Sequence, residues 1–149
     1  ARYISDEDEV KDVLQDSFIK IFTQIHQFEY RGKDSLKAWI TKVVINEALM
    51  YLRQNKTFLV PIQESDIVDC LDEEPEMENL GADILFSFIQ KLPPGYRAVF
   101  NLFVIEEKSH KEIAEILQIQ PATSASQFLR ARKLLAEMIR EYKHQMENR

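Results

Sequence analysis

Small hydroxyl side chains followed by cations occupy one face of a predicted helix near the end of the chain. Thr123 and Ser126 come first, and Arg130 and Lys133 follow at helical spacing. Small residues let a helix approach base edges in a DNA groove, and cations bind the phosphates. These residue types, in this order, predict contacts with duplex DNA.

The helix that carries them is the second of a predicted helix-turn-helix unit in residues 109–135. Ser109 begins the first helix, and Glu112 stands three residues on, which is the spacing of a capping box. Gln118-Ile119-Gln120 forms the turn, with Ile119 directed into the core, and Pro121 suits the first turn of the second helix. An ordinary helical hairpin with a solvated basic face fits this stretch equally well, so both interpretations stay open here.

The predicted first helix begins in residues 5–8 and presents two different faces. Its core face is predicted from apolar residues at helical spacing, namely Val10, Leu14, Phe18, Ile21 and Ile25. The opposite face carries acids and an amide around one apolar residue, namely Asp12, Gln15, Asp16 and Ile19. A polar face with an apolar centre is typical of a small protein-docking site. A solvated helix face is the alternative.

A second predicted helix runs from Ser35 or its neighbour Asp34 to about Gln54, after a break in residues 28–34. One polar strip follows it at roughly helical spacing, formed by Ser35, Lys42, Asn46 and Arg53. Trp39 flanks the strip, and the preceding loop supplies Tyr30, Arg31 and Lys33. Cations beside an aromatic ring suit single-stranded bases. The alternative is that Trp39 belongs to the core and the strip is solvated.

Apolar residues occupy more than one side of this second helix. Leu36, Trp39, Ile40, Val43 and Val44 form one side, whereas Ile45, Leu49 and Leu52 lie on others. Such a helix must be covered by several neighbours, yet only one predicted helix precedes it. We therefore expect either a further helix before Ala1 or a partner molecule to cover the remaining surface.

The distribution of charge divides the 149-residue chain into three parts. The net charge is −6, but residues 57–83 alone hold nine acidic residues and no Lys or Arg, whereas residues 84–149 are net basic. With only three glycines, the composition favours an all-α fold. We predict two small helical domains, residues 1–56 and 81–149, joined by a flexible acidic linker in residues 57–80.

Four short helices are predicted in the second half of the chain. The first starts at about Met77 and stops at Lys91-Leu92-Pro93-Pro94, and the next runs from Tyr96 to Ile105. The last two form the helix-turn-helix unit. The order is that of a compact DNA-binding domain.

The sequence gives no indication of disulfide bonds, a metal site or a membrane-spanning helix. The single cysteine, Cys70, excludes an internal disulfide framework and fits a reducing cytoplasm. One cysteine and three scattered histidines give no familiar metal-ligand spacing, and no apolar run approaches the length needed to cross a membrane. We expect no cofactor, no metal, no membrane insertion and no enzymatic activity.

In two places, in order, the chain resembles the extracytoplasmic-function group of bacterial sigma factors in the sigma-70 family. Residues 12–18, residues 28–32, residues 35–40 and residues 51–53 resemble region two. Residues 92–100 and the helix-turn-helix stretch resemble region four. Together the matches cover nearly the whole chain, with the acidic segment between them.

The resemblance implies a sigma factor that binds core RNA polymerase and directs it to promoter DNA. It places core polymerase binding at Asp12, Gln15, Asp16 and Ile19. It places the melted −10 strand at Arg31, Lys33, Ser35, Trp39, Lys42, Asn46 and Arg53. It places the −35 duplex at Arg97, Thr123, Ser126, Gln127, Arg130 and Lys133. An anti-sigma factor is a further partner that the family suggests.

The chain departs from the family pattern at several positions. The family usually has a further helix before the position of Ala1, and we expect that this part of region two is missing from the given sequence. Gln118 replaces the turn glycine, and Ala125 and Gln127 replace common basic residues. Each lost phosphate contact lowers the salt dependence of DNA binding by about one unit of slope. The main alternative function is a stand-alone helix-turn-helix regulator with an N-terminal interaction domain, and a helical interaction protein is a third.

Overall fold

A computed structural model describes residues 2–55 and 80–148, and these residues form helices joined by short connections. The α-helices are α1 (Glu7–Gln24), α2 (Ser35–Gln54), α3 (Ala82–Lys91), α4 (Pro94–Phe100), α5 (His110–Leu117) and α6 (Pro121–Glu147). A short 3₁₀ turn, Ile25–Gln27, follows α1, and a π-helical turn, Asn101–Ile105, follows α4. The all-α prediction is confirmed for the described ranges. Most of the predicted linker lies outside them.

Helix α1 starts where acids predict a start, but its buried face differs from the predicted one. The Asp6 side chain caps the helix by accepting hydrogen bonds from the backbone N–H groups of residues 8 and 9, each 3.0 Å long. The buried positions are Val13, Ser17 and Ile21. The sequence did not predict this face because Ser17, at its centre, is polar. The Ser17 hydroxyl can be buried because it donates a hydrogen bond to the Val13 carbonyl at 2.6 Å.

Three residues of the predicted α1 core face are therefore exposed, and the prediction was wrong for them. They are Leu14, Phe18 and Ile25, and the adjacent Phe22 is 76% exposed. Helix α2 packs against the side of α1 that carries Ser17, so the apolar side stays uncovered in the described chain. The sequence predicted that α2 would need a further cover, whereas most of the exposed large apolar residues of the described first half lie on α1.

The loop before α2 turns through two residues with positive φ. Gly32 has φ 106° and Asp34 has φ 68°, in the left-handed region. Asp34 occupies the N-cap position without a side-chain capping bond, and Ser35 instead accepts a hydrogen bond from the Arg31 backbone N–H at 3.3 Å. The predicted bounds of α2 are confirmed.

The second half begins with α3, which ends at the predicted Lys91 stop before the two prolines. Residues 80 and 81 are not helical, so α3 begins at Ala82, later than the predicted start at Met77, which itself lies outside the described residues. The predicted helix to Ile105 divides into α4 and the π-helical turn. In that turn the backbone N–H of Glu106 donates to the Asn101 carbonyl, five residues back.

The helix-turn-helix prediction is confirmed in detail. Ser109 caps α5 and forms the full capping box with Glu112. Gln118 adopts the left-handed conformation, φ 56°, at the position of the family's turn glycine. Pro121 is the first residue of α6. The predicted inner face of α6 is buried or half-buried throughout: Ser124, Phe128, Ala131, Leu135, Ile139 and Tyr142.

Two apolar clusters hold the described chain together. One lies within the second half, where α3, α4 and α6 meet around Phe88, Phe100 and Leu135. The other crosses between the halves, because Leu49 and Leu52 of α2 pack with α4 and α5 residues. The second half thus covers part of α2 that the sequence left without a neighbour.

Candidate nucleic-acid and polymerase interfaces

The predicted docking face of α1 lies on the surface. Asp12, Gln15 and Asp16 are exposed, and Ile19 at their centre is 62% exposed. These four residues lie on the side of α1 away from the buried Ser17. Helix α1, capped by Asp6, presents acids around a small apolar contact, which is an arrangement typical of a protein interface.

The predicted −10 residues are divided between a loop and α2. In the loop, Arg31 and Lys33 are exposed, and the Arg31 guanidinium contacts the Glu29 carboxylate at 3.0 Å. On α2, Lys42 and Asn46 are exposed one turn apart. These groups are available to phosphates and bases.

The aromatic residue of this site is held by a neighbouring ring. Trp39 is half-buried, and its ring centroid lies 5.7 Å from that of Phe28 in a tilted arrangement. The contact fixes Trp39 beside the polar strip rather than within the buried cluster. Ser35, also half-buried, bridges the loop and the start of α2.

Arg53 differs from the rest of the strip because it is turned toward the second half. Its Nη1 donates to the backbone carbonyl of Ile116 on α5 at 3.3 Å. The two residues are 63 positions apart in the chain, so the spacing of residues along α2 could not predict this contact. The structure therefore brings Lys42 and Asn46 together but engages Arg53 elsewhere.

A cleft of about 970 Å³ opens beside Lys42 and Asn46, between α2 and the second half. Its cationic lining includes two further lysines that no sequence pattern indicated, Lys37 and Lys108. Glu106 adds an acid on the same wall. Lys108 lines the same cleft as Lys42 and Asn46 only because the two halves pack together, so no local sequence pattern could have indicated it.

The outer face of α6 carries four of the six predicted −35 residues. Thr123, Ser126 and Arg130 are half-buried, and Lys133 is exposed. The Ser126 hydroxyl donates to the Thr123 carbonyl at 3.0 Å. Arg130 Nη1 donates to the Tyr96 hydroxyl in a long contact of 3.4 Å.

The other two predicted −35 residues are buried. Gln127 is 3% exposed and Arg97 is 2% exposed. Arg97 Nε donates to the Tyr3 carbonyl at 3.1 Å, and its Nη1 donates to the Gln90 carbonyl at 2.6 Å. Burial lowers the pKa of Arg97 below its ordinary value. In this arrangement Arg97 links three chain segments.

A histidine supports the helix-turn-helix unit from within. The His110 ring stacks on Phe103 at a centroid distance of 4.7 Å, and its Nδ1 lies 3.0 Å from the hydroxyl of the buried Ser124. The start of α5 is thereby joined to the start of α6. No sequence pattern indicated this role, because a lone histidine can serve many purposes.

Neither a metal centre nor a membrane span is found in the described ranges. Within residues 2–55 and 80–148 no cluster of His, Cys, Asp and Glu could hold a metal ion. The helices described there are too short or too polar to cross a bilayer.

Comparisons with protein families match both halves of the chain. The family model for sigma-70 region 2 matches residues 1–58, and that for sigma-70, region 4 matches residues 82–135. The first match contains α1 and α2, and the second contains α3, α4, α5 and the first part of α6. The two families therefore divide the chain where the acidic segment lies.

The chain is also similar to curated proteins over most of its length. The chain is 31% identical over 150 residues to the ECF RNA polymerase sigma-E factor of Haemophilus influenzae, covering 93% of this chain and 78% of that protein. It is 27% identical over 129 residues to the ECF RNA polymerase sigma factor SigM of Bacillus subtilis, covering 84% and 76%. Against Escherichia coli sigma-E the identity is 29%, covering 91% and 75%. The chain belongs to the extracytoplasmic-function sigma factors of the sigma-70 family, and it is a sigma factor for promoter-directed initiation of transcription.

Proposed function

We propose that the three surfaces described above divide the work of promoter recognition. The α1 face of Asp12, Gln15, Asp16 and Ile19 binds core RNA polymerase. The α2 strip and its preceding loop bind the melted −10 strand, and the outer face of α6 binds the −35 duplex. The observation that carries this assignment is the exposure of an acid-rimmed apolar contact on α1 beside a separate cationic strip on α2.

Electrostatics support the division. An acidic face repels DNA, so Asp12 and Asp16 suit a protein partner, whereas Lys42 and Lys133 suit phosphates. The chain supplies recognition, and the polymerase supplies the chemistry of nucleotide addition. The proposal places the protein in the cytoplasm, with polymerase and DNA, and includes an anti-sigma factor as a regulator of the same surfaces.

The Asp16→Arg variant tests the docking face. Asp16 is exposed, so reversing its charge leaves the fold intact while placing a cation in an acidic interface. We expect core polymerase pull-down to fall by at least about tenfold, since a misplaced interfacial charge costs several kcal/mol. Glu137→Arg is the matched control, because it makes the same charge reversal at an exposed position on α6.

Equal pull-down of both variants would show that the docking face is misplaced. Runoff transcription with purified core polymerase and a promoter library then separates the sigma-factor role from that of a stand-alone regulator. A regulator binds an operator without polymerase, whereas this chain is expected to support initiation only with it.

A further inference from the structure

Two neighbouring residues of α4 make contacts in different directions. Arg97 is buried and donates to the carbonyls of Tyr3 and Gln90, whereas Tyr96 is half-buried and accepts a hydrogen bond from Arg130 of α6. We propose that Tyr96 is a positioning residue for −35 recognition, which acts by holding the Arg130 guanidinium on the outer face of α6. The inference rests on the proposed function, because it takes that face as the surface that binds the −35 duplex.

The start of α4 fixes the position of Tyr96. Pro94 is the first residue of α4, and its ring sets the backbone angle that a helix requires, so Tyr96 lies in the first helical turn. The Tyr96 ring packs against the apolar cluster that contains Phe88, Phe100 and Leu135. A tyrosine side chain has only two torsions, and this packing restricts them. The hydroxyl is therefore a hydrogen-bond acceptor in a defined place.

Arg130 leaves α6 where that helix lies against α4. Ala131, the next residue, is 0% exposed, and the Nε atom of Arg130 is itself buried. The guanidinium thus emerges beside α4, where its Nη1 donates to the Tyr96 hydroxyl at 3.4 Å. An arginine that is ordered before binding loses less conformational entropy when it contacts DNA, so the contact becomes stronger.

The other polar residues of the DNA-reading face are held differently. The Ser126 hydroxyl donates to the Thr123 carbonyl at 3.0 Å, so α6 positions this pair with its own backbone. Arg130 is much longer, and its contact with Tyr96 comes from another helix, 34 positions earlier in the chain. The placement of the cation relative to the two hydroxyl residues therefore depends on α4.

A phenol is suited to this role because it is an uncharged acceptor. A carboxylate in the same place would orient the guanidinium more strongly, but it would also neutralise the charge that attracts phosphates. The Tyr96 hydroxyl orients Arg130 and leaves its positive charge uncompensated by this contact. Tyr96 thereby contributes to DNA binding without being a cation itself.

The Tyr96→Phe variant tests the proposal, because it removes the hydroxyl and retains the packed ring. The full chain is combined with core polymerase, and its affinity is measured for a fluorescent duplex carrying a promoter that runoff transcription has selected. We expect binding to weaken by about two- to tenfold, which corresponds to the ordering of one long side chain. Tyr142→Phe is the matched control, because it removes a hydroxyl from a half-buried ring of α6 that packs on Phe88, and it should leave the affinity unchanged.

A double-mutant cycle separates positioning from a merely structural role. Arg130→Ala should weaken promoter binding by about fivefold or more, as expected for the loss of a direct DNA contact. Tyr96→Phe should then have no further effect in the Arg130→Ala background, because the hydroxyl has no guanidinium left to hold. A structural role would lower the affinity by the same factor in both backgrounds.

The order of the Arg130 side chain is measured directly in the free chain by nitrogen-15 relaxation of its Nε–H group. The resonance is assigned by its loss in Arg130→Lys. Its order parameter should fall in Tyr96→Phe and stay at the wild-type value in Tyr142→Phe. Circular dichroism should show the same helix content in all of these variants.

Each outcome decides the proposal. Equal promoter affinity of the wild type and Tyr96→Phe, a further loss in the Arg130→Ala background, or an unchanged order parameter would overturn the positioning role and leave the proposed −35 surface intact. Wild-type promoter binding by Arg130→Ala would instead refute the proposed −35 surface, and the positioning role with it.

Discussion

Replacing Arg97 with alanine should destabilise the free chain more than any substitution on the outer face of α6. The change removes two donors at once and leaves the carbonyl oxygens of Tyr3 and Gln90 without their guanidinium partner. A hydrogen bond to a charged group is worth about 1.5–3 kcal/mol, so the gross loss is about 3–6 kcal/mol. Burial already disfavours the charged form of Arg97, and the alanine variant no longer pays the free-energy cost of desolvating that charge. The net loss is then about 2–4 kcal/mol.

Urea denaturation followed by far-ultraviolet circular dichroism measures this loss as a lower transition midpoint. Arg97→Lys retains the charge but not the two-pronged geometry, so its midpoint should lie between those of the wild type and Arg97→Ala. Lys133→Ala removes an exposed cation from α6 and should change stability by less than about 0.5 kcal/mol. If Arg97→Ala and Lys133→Ala have the same midpoint, the two carbonyl contacts do not hold the chain in solution.

Three further predictions concern the helix-turn-helix unit. Ser109→Ala removes the side-chain cap of α5 and should lower the free energy of unfolding by about 1 kcal/mol, as measured by thermal or urea denaturation. Ser5→Ala is the control, because Ser5 is exposed and does not cap a helix, so its free energy of unfolding should change little. Hydrogen bonds from the backbone N–H and the hydroxyl of Ser109 lower the pKa of Glu112 below its ordinary value of 4.5. The Glu112 carboxylate therefore stabilises the folded state fully above pH 4.5, and this stabilisation is lost as the pH falls through the lower pKa of the folded state. The stability difference between wild type and Glu112→Gln should therefore shrink on acidification, and a difference that grows would contradict the capping role. Gln118→Gly relieves the left-handed backbone at φ 56° and should raise stability by about 0.5–1 kcal/mol, a gain that Gln120→Gly, at an extended position, should not reproduce.

Local patterns predicted most helix bounds because the signals are themselves local. The capping box at Ser109, the paired prolines after Leu92 and the break before α2 each act within a few residues of the boundary they set. The buried face of α1 was missed because Ser17 satisfies its hydroxyl on its own helix, so a polar residue enters the core at small cost. Periodicity of apolar residues alone cannot show that.

Only those parts of the candidate surfaces that depend on local patterns could be predicted from the sequence. Exposure of Asp16, Lys42 and Lys133 follows from their own helices, so face patterns were sufficient to find them. The burial of Arg97 and the engagement of Arg53 depend on how the halves pack, which pairs residues far apart in the chain. A sequence gives residue types for such contacts but not their partners.

The π-helical turn at Asn101–Ile105 sets the directions in which its own side chains leave the helix axis. Its hydrogen bond from Glu106 to Asn101 encloses one more residue than an α-helical turn would. A chain one residue shorter here could close the turn as regular α-helix, and the remaining residues of the turn would then be rotated by about 100° around its axis. Phe103 lies in this turn and its ring contacts those of His110 and Phe128, so a deletion of one residue would change how the turn packs against α5 and α6.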